Sequence, residues 1–197
     1  MMTRSKVAPD VTDMHEVRLV GRGGHGVVTA GEVLGRAAVA EGRSAQAIPT
    51  FGPERRGALS SCTLRIATGE ILLKCGPTGP DVLVVLDPTI WRHAPVTPGL
   101  REGATLVFNT TLEPAELATA LRLPLAEYSL WTVDATSIAL EQLGRAVTNT
   151  AMMGAFAGAT GLLGMESVEG AIRDRFGAAA DRNIAAARAA RERLRRL

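Results

Sequence analysis

A strand, a glycine-rich turn, a helix and a second strand follow one another early in the chain, and this order restricts the fold more than any other feature. Residues 17–20 form a short apolar run with strand composition, and a GxGxxG turn follows it at once. Apolar residues then recur at helical spacing over residues 26–41, and residues 45–48 form a second strand candidate. This order predicts the opening of a nucleotide-binding βαβ layer.

The glycine turn has the chemistry of an anion-binding site. Glycine adopts positive φ angles and lets a ligand approach the backbone closely. The first turn of a helix also has N–H groups without partners, next to the positive end of the helix dipole. A tight turn without any ligand has the same pattern, so the motif alone leaves both interpretations open. The candidate binding residues in this turn are Gly21, Gly23, Gly24, His25 and Gly26.

The loop after the second strand adds positive charge. Dinucleotide-binding folds place an acidic residue at this position to hold a ribose hydroxyl, and here the strand instead runs into Pro49 without an acid. The sequence GPERRG follows, and guanidinium groups in such a loop bind phosphates or carboxylates. We therefore predict that Glu54, Arg55 and Arg56 contribute to the binding site. The alternative is a solvated loop or a contact with a neighbouring subunit.

The rest of the sequence predicts an α/β fold with three layers, a mostly parallel sheet, an inserted β-hairpin and C-terminal helices. Alternating residues 62–66 and the run 71–74, on either side of Thr68 and Gly69, predict the hairpin. Continuous aliphatic runs predict buried parallel strands; they lie at residues 81–86 and 104–109, with a short strand at 131–133. Further helices are predicted at residues 113–120, 135–143, 149–163, 167–176 and 179–197.

The domain organisation follows from length and composition. A chain of 197 residues is long enough for one domain with a sizeable core. We expect a mobile N-terminal tail over residues 1–15, one α/β domain over residues 16–177 and a basic C-terminal helix over residues 178–197. The segment 149–163 is nearly uncharged, so it should be buried against the sheet or a partner.

Several classes of protein are disfavoured by the sequence. There is no apolar stretch long enough for a membrane span and no secretory signal, so a cytoplasmic protein is expected. The last 17 residues hold six arginines against two acidic residues. This basic helix has no interleaved aromatic residues, so binding to nucleic acid is not expected.

No complete catalytic or metal-binding constellation is present in the sequence. The chain has only two cysteines, Cys62 and Cys75, and an iron–sulfur cubane needs four thiolates. A disulfide between them is geometrically conceivable, but a reduced pair is expected in the cytoplasm. Asp87 ends a predicted parallel strand, where ligands bind in open α/β sheets, and it is also a natural helix cap.

Two sequence blocks carry a resemblance to a known family. GRGGHGVVTAGEVLGRAA and AIPTFGPERRGA resemble, at the right separation, the gamma subunit of the 2-oxoacid:ferredoxin oxidoreductases, a pyruvate:ferredoxin oxidoreductase-like family. The similarity continues through DVLVVLD and NTAMMG and covers roughly residues 17–177. His25 departs from the family pattern, where glutamine is common, and Ser60-Ser61-Cys62 is a more polar strand start.

The resemblance implies a function within a hetero-oligomer. In this family a 2-oxoacid is oxidatively decarboxylated to an acyl-CoA on thiamine diphosphate and magnesium, which the alpha and beta subunits hold. Electrons leave through 4Fe-4S clusters of a ferredoxin-like subunit to an external acceptor. The gamma part packs on the thiamine-binding subunits and is associated with coenzyme A binding. The resemblance therefore implies a chain that is not catalytic alone and that contributes to a coenzyme A site.

Two alternatives to this function stay open at the level of the sequence. One is a purely structural assembly subunit without a ligand. The other is an NAD(P)-binding oxidoreductase of the Rossmann type, which the missing acid after the second strand disfavours. The sequence does not determine the 2-oxoacid, since the substrate pocket is expected mainly on other subunits. Pyruvate, 2-oxoglutarate, branched-chain and aryl-glyoxylate substrates all fit.

Overall fold

The computed structural model describes residues 14–51, 59–73, 76, 79–124 and 127–197. Within these residues the chain forms seven strands and six α-helices. The strands are β1 (Met14–Arg22), β2 (Ser44–Phe51), β3 (Leu59–Ala67), β4 (Val82–Val85), β5 (Thr105–Asn109), β6 (Ser129–Val133) and β7 (Arg195–Arg196). The helices are α1 (Val27–Ala40), α2 (Pro114–Leu121), α3 (Ala135–Leu143), α4 (Asn149–Thr160), α5 (Met165–Phe176) and α6 (Ala180–Glu192).

The strands form one sheet in the order β2-β3-β1-β4-β5-β6-β7. The central strands β1, β4, β5 and β6 are parallel to one another. β3 runs antiparallel between β1 and β2, and β7 runs antiparallel along β6. Five of the seven strands described therefore point in the same direction, which confirms the predicted mostly parallel α/β sheet.

A hairpin is present, but it joins β2 to β3 and is not the predicted one, whose strands were residues 62–66 and 71–74. β3 pairs along its whole length with β1 on one side, and over residues 60–67 with β2 on the other. Both of its hydrogen-bonding edges are therefore occupied, and residues 71–73, predicted as the returning strand, lie in no strand. Lys74 lies outside the described residues. β2 also continues past Pro49, where we expected it to stop, because an edge strand tolerates a residue without an N–H group.

Helices cover both faces of the sheet and make the predicted three layers. On one face, buried residues of β1, β3 and β4 pack with α1 and with α3 to α6. On the other face, buried residues of β4, β5 and β6 pack with α2 and with the 3₁₀ turn Ile90–Arg92. Alternate residues of one strand enter different layers, since Val84 faces the first group and Val85 the second.

The uncharged segment that begins at Asn149 is buried inside this chain. Nine of the twelve residues of α4 are buried, and the helix packs against α6. A Cβ atom at Gly154 would lie 1.9 Å from the carbonyl oxygen of Ala187, so glycine is what allows the two backbones to approach. The sequence left open whether this segment is buried against the sheet or against a partner. In the structure it is buried within the chain itself.

Both chain ends differ from the expected boundaries. The final helix ends at Glu192 instead of continuing to Leu197, because residues 195–196 form β7 on the edge of β6. Arg196 stacks over the ring of Trp131 at 5.3 Å, which holds this strand in place. β1 begins at Met14, so the last two residues of the predicted tail belong to the sheet; residues 1–13 lie outside the described part. No described helix is long and apolar enough to cross a membrane.

Candidate functional site

The glycine turn connects the carboxyl end of β1 to the first residue of α1. Its backbone folds into a tight bend in which the N–H of His25 donates to the carbonyl of Arg22 at 3.1 Å. Gly24 has a φ of 98° and Gly26 a φ of 73°, which are left-handed values that favour glycine. Gly23 and Gly24 are exposed at the tip of the turn. The turn therefore presents its backbone to solvent at the carboxyl edge of the sheet.

Packing explains some of the glycines of this turn but not all of them. A Cβ atom at Gly21 would lie 2.8 Å from a methyl carbon of Val27, and one at Gly26 would lie 2.6 Å from the side-chain nitrogen of Asn149. Gly23 differs from both, since no described atom lies within 4 Å of its added Cβ and its φ is not positive. Packing within the described chain does not require glycine at residue 23, and open space surrounds it.

The start of α1 has no cap from a side chain. Gly26 occupies the N-cap position without a side-chain hydrogen bond, and the first turn contains no acidic residue. The 14-residue helix directs its N–H groups and the positive end of its dipole towards the glycine turn. This arrangement favours an anionic group in front of the turn.

A buried carboxylate lies beside the turn. Asp87 follows β4, is 3% exposed, and directs its Oδ2 atom towards the glycine turn. The Nε atom of Arg22 lies 3.2 Å from this oxygen, and the Nε2 atom of His25 lies 3.7 Å from it. The other oxygen, Oδ1, accepts hydrogen bonds from the amide and hydroxyl of Thr89 and from the amide of Ile90. Asp87 thus caps the short 3₁₀ turn and also holds the glycine turn.

The surroundings keep Asp87 ionised. Burial alone would raise the pKa of this carboxyl group. The hydrogen bonds from Thr89 and the electrostatic interactions with His25 and Arg22 outweigh that effect and hold the pKa of Asp87 below its usual range. Asp87 therefore carries a negative charge behind the turn at neutral pH. The groups that this carboxylate attracts lie between it and solvent.

Polar side chains brace the neighbouring strand ends. Asn109 and Thr148 both donate to the carbonyl of Leu86, at 2.8 Å and 3.1 Å. Asn109 also accepts from the amide of Thr136 at the start of α3. These contacts connect β4, β5, α3 and α4 behind the turn through side-chain hydrogen bonds.

Comparisons with known proteins decide the family. The family model described as pyruvate ferredoxin/flavodoxin oxidoreductase matches residues 16–193. This chain belongs to that family.

Individual relatives agree with this assignment to the pyruvate ferredoxin/flavodoxin oxidoreductase family. The common gamma subunit of pyruvate/ketoisovalerate oxidoreductases from Pyrococcus abyssi is 47% identical over 91% of this chain and 96% of its own length. The pyruvate synthase subunit PorC from Methanocaldococcus jannaschii is 42% identical over 90% and 95%. A crystal structure of the pyruvate oxidoreductase subunit PORC from Thermotoga maritima superimposes with a TM-score of 0.81, at 31% identity over 93% and 98%. The resemblance inferred from the two sequence blocks is confirmed.

The structure brings together part of the predicted site. Five of the predicted residues, from Gly21 to Gly26, form the turn described above. Glu54, Arg55 and Arg56 lie outside the described residues, so their contribution stays a prediction.

Two candidate functional residues were not among the site residues predicted from the sequence. Arg22 sits inside the glycine motif and was not selected, and Asp87 was interpreted mainly as a helix cap. The signal for the pair was available: Arg22 ends β1 and Asp87 follows β4, and these two strands are parallel neighbours. Parallel neighbours end at the same edge of a sheet.

Cys62 is not a candidate reactive residue in this structure. It is fully buried, and an added Cβ at Gly31 would lie 2.4 Å from its sulfur. Burial raises the pKa of the Cys62 thiol to about 11, so the thiolate is scarce at neutral pH. Cys75, the other member of the pair considered above, lies outside the described residues.

Proposed function

We propose that this chain is the gamma subunit of a multi-subunit 2-oxoacid:acceptor oxidoreductase, an enzyme that converts a 2-oxoacid to an acyl-CoA by oxidative decarboxylation. The observation that carries the proposal is the extent of the match to relatives named as gamma or PorC subunits. The alignments span nearly the whole of those subunits and most of this chain. An equivalent place in an equivalent assembly is the simplest explanation of such a match.

In this proposal the chemistry takes place on partner subunits. Alpha and beta subunits hold thiamine diphosphate and magnesium, a ferredoxin-like subunit holds 4Fe-4S clusters, and this chain packs on the thiamine-binding subunits. The sequence supports this division, since it lacks a GDG…N thiamine motif and has two cysteines where a cubane needs four thiolates. The chain by itself has no 2-oxoacid oxidoreductase activity in this proposal.

The second part of the proposal is that the glycine turn contributes to coenzyme A binding. Coenzyme A carries a pyrophosphate and a 3′-phosphate, and the uncapped start of α1 favours anions in front of the turn. Gly23 leaves room for a close approach, and Arg22 adds a positive charge beside it. The predicted ligands Arg55 and Arg56 follow β2, which runs in the same direction as β1. They would add charge-assisted hydrogen bonds to the same phosphates.

An omission experiment tests the assembly. The chain is co-expressed with the subunits encoded beside it, purified through a tag on this chain, and assayed for reduction of a viologen dye that depends on a 2-oxoacid and coenzyme A. We expect activity in the complex and none in the chain alone. Dye reduction by the purified chain, or full activity of the other subunits without it, would overturn the proposal.

A glycine variant tests the coenzyme A contact. Gly23→Ala adds a methyl group where a ligand would approach, so it should raise the Michaelis constant for coenzyme A in the complex. Arg56→Ala should do the same by about 10- to 150-fold, which corresponds to one lost charge-assisted hydrogen bond. Pantetheine lacks both phosphate groups and serves as the control, since its weaker binding should change little. Unchanged constants for both variants would favour the purely structural subunit.

A further inference from the structure

Arg22 differs from the other arginines that form ion pairs in the described part of the chain. Arg101, Arg193 and Arg195 meet their carboxylates through a terminal guanidinium nitrogen, and Arg188 uses Nε and one terminal nitrogen together. Arg22 meets Asp87 through Nε, as Arg65 meets Glu16. The terminal nitrogens of Arg65 donate to other groups of the chain, whereas neither terminal nitrogen of Arg22 donates a hydrogen bond to a described residue. The outer edge of this guanidinium is therefore available for a ligand.

The carboxylate behind Arg22 is itself held in place. Oδ1 of Asp87 accepts three hydrogen bonds from Thr89 and Ile90, at 2.7 Å, 2.7 Å and 3.0 Å. These bonds fix the plane of the carboxyl group and leave Oδ2 directed at Arg22 and His25. Because Asp87 is 3% exposed and the side chain of Arg22 is 38% exposed, the pair has a buried end and an open end. Its geometry aims a guanidinium from the interior towards solvent.

His25 completes this arrangement from the other side. Its Nδ1 atom is buried and has no hydrogen-bond partner among the described residues, while its Nε2 atom faces Oδ2 of Asp87. The imidazole and the guanidinium thus converge on one oxygen from two positions in the same turn. The single carboxylate links both ends of the bend between Arg22 and His25, which limits the conformations of Gly23 and Gly24.

We infer that Arg22 is an anion-binding residue of the glycine turn and that Asp87 is the positioning residue that aims it. The terminal nitrogens of Arg22 form a planar fork that fits two oxygens of a phosphate group. This inference rests on the proposed coenzyme A contact and names the residue that receives a phosphate there. Asp87 acts through Arg22 and does not touch the ligand, since like charges repel.

A double-substitution cycle in the assembled enzyme tests the inference. Arg22→Gln should raise the Michaelis constant for coenzyme A by about 10- to 150-fold. Asp87→Asn keeps the shape of the side chain but loses the charge that aims Arg22, so it should raise the same constant by a smaller factor. In the variant with both substitutions the two factors should not multiply, because Asp87 can no longer aim Arg22 once that arginine is replaced. Multiplying effects, or no effect of Arg22→Gln, would overturn the inference.

A second measurement on the full chain separates positioning from binding. The ¹H–¹⁵N nuclear Overhauser effect of the Arg22 Nε group reports motion of the side chain on the picosecond to nanosecond timescale. We expect an ordered signal in the wild-type chain and a mobile one in Asp87→Asn, comparable with the exposed Arg36. A mobile Arg22 in the wild-type chain would overturn the positioning role.

The two possible failures give different patterns. If Arg22→Gln leaves the coenzyme A constant unchanged while Gly23→Ala raises it, the inference about Arg22 fails and the coenzyme A contact stands. If neither substitution changes the constant, both the proposed coenzyme A contact and the proposed role of Arg22 in it are rejected.

Discussion

Two arginine–carboxylate pairs lie at opposite ends of β1, and they differ in how many of the arginine's donors are satisfied within the chain. Glu16 and Arg65 meet near the start of β1 with both side chains 0% exposed, and Arg65 Nε lies 3.1 Å from Glu16. Arg22 and Asp87 meet at the other end with side chains 38% and 4% exposed. The buried pair therefore stabilises one end of the sheet. The more exposed pair leaves guanidinium donors accessible to a ligand at the other end.

The buried pair also holds a segment of backbone. The terminal nitrogens of Arg65 donate to Gln46 and to the carbonyls of Leu73 and Gly76, at distances between 2.8 Å and 3.3 Å. Glu16 accepts from the amide of Gly79 at 3.2 Å. With all three nitrogens of Arg65 occupied, this pair has a structural role. Unsatisfied guanidinium donors, and not the ion pair itself, therefore distinguish the proposed binding residue Arg22 from the structural residue Arg65.

The largest expected effect is at the buried end. Arg65→Met leaves the Glu16 carboxylate buried without its charge partner, which should lower the free energy of unfolding by about 3–5 kcal/mol. Urea denaturation followed by circular dichroism measures this. The control is Arg101→Met, whose pair with Asp81 is 48% and 24% exposed and should contribute less than about 1 kcal/mol. Equal losses in the two variants would contradict the structural role given to the buried pair.

The next largest expected effect distinguishes two glycines of the turn beside Asp87, Gly26 and Gly23. Gly26→Ala forces a left-handed φ of 73° on alanine and places a methyl group against Asn149. We expect this change to lower the free energy of unfolding by about 1–3 kcal/mol. Gly23→Ala is the matched control and should change it by no more than about 0.5 kcal/mol. Thermal and urea melts of both variants check this, and a comparable loss for Gly23→Ala would show that packing also requires that glycine.

The smallest expected effect is on the pH dependence of the free energy of unfolding. The pKa of Asp87 is lower in the folded chain than in the unfolded chain, mainly because hydrogen bonds from Thr89 outweigh the opposing effect of burial. Its ionised form therefore stabilises the fold fully above the unfolded pKa of about 3.9, and this contribution is lost as the pH falls through the folded pKa. The difference in unfolding free energy between wild type and Asp87→Asn should shrink as the pH falls from 6 to about 2. A difference independent of pH would contradict this.

Periodicity and buried runs in the sequence were sufficient to predict the class of fold. The helix after the glycine turn followed from apolar spacing, because one buried face dictates that spacing. The parallel strands β4 and β5 followed from continuous aliphatic runs, and the burial of α4 followed from its lack of charged residues. The pairing of β3 did not follow. Alternation shows that a strand has two faces, but it does not show which strands lie on its two edges, and here β2 and β1 fill both.

The candidate site was predictable only where the residues are close in sequence. The turn around Gly24 was found because its glycines form one motif. The pair of Arg22 and Asp87 depends on two strands that are far apart in the chain and adjacent in the sheet. Local sequence indicates a helix cap at Asp87, which is correct for Oδ1, and contains no information about the group that Oδ2 meets.

The most direct test of the role proposed for Asp87 compares the two carboxylates that flank β4 in the assembled enzyme. Asp81 precedes the strand at the end where the buried pair lies, and Asp87 follows it beside the glycine turn. The measurement is the Michaelis constant for coenzyme A in Asp81→Asn and Asp87→Asn complexes of equal subunit composition. We expect a clear increase for Asp87→Asn and the wild-type value for Asp81→Asn. Equal constants in the two variants, or an increase confined to Asp81→Asn, would contradict it.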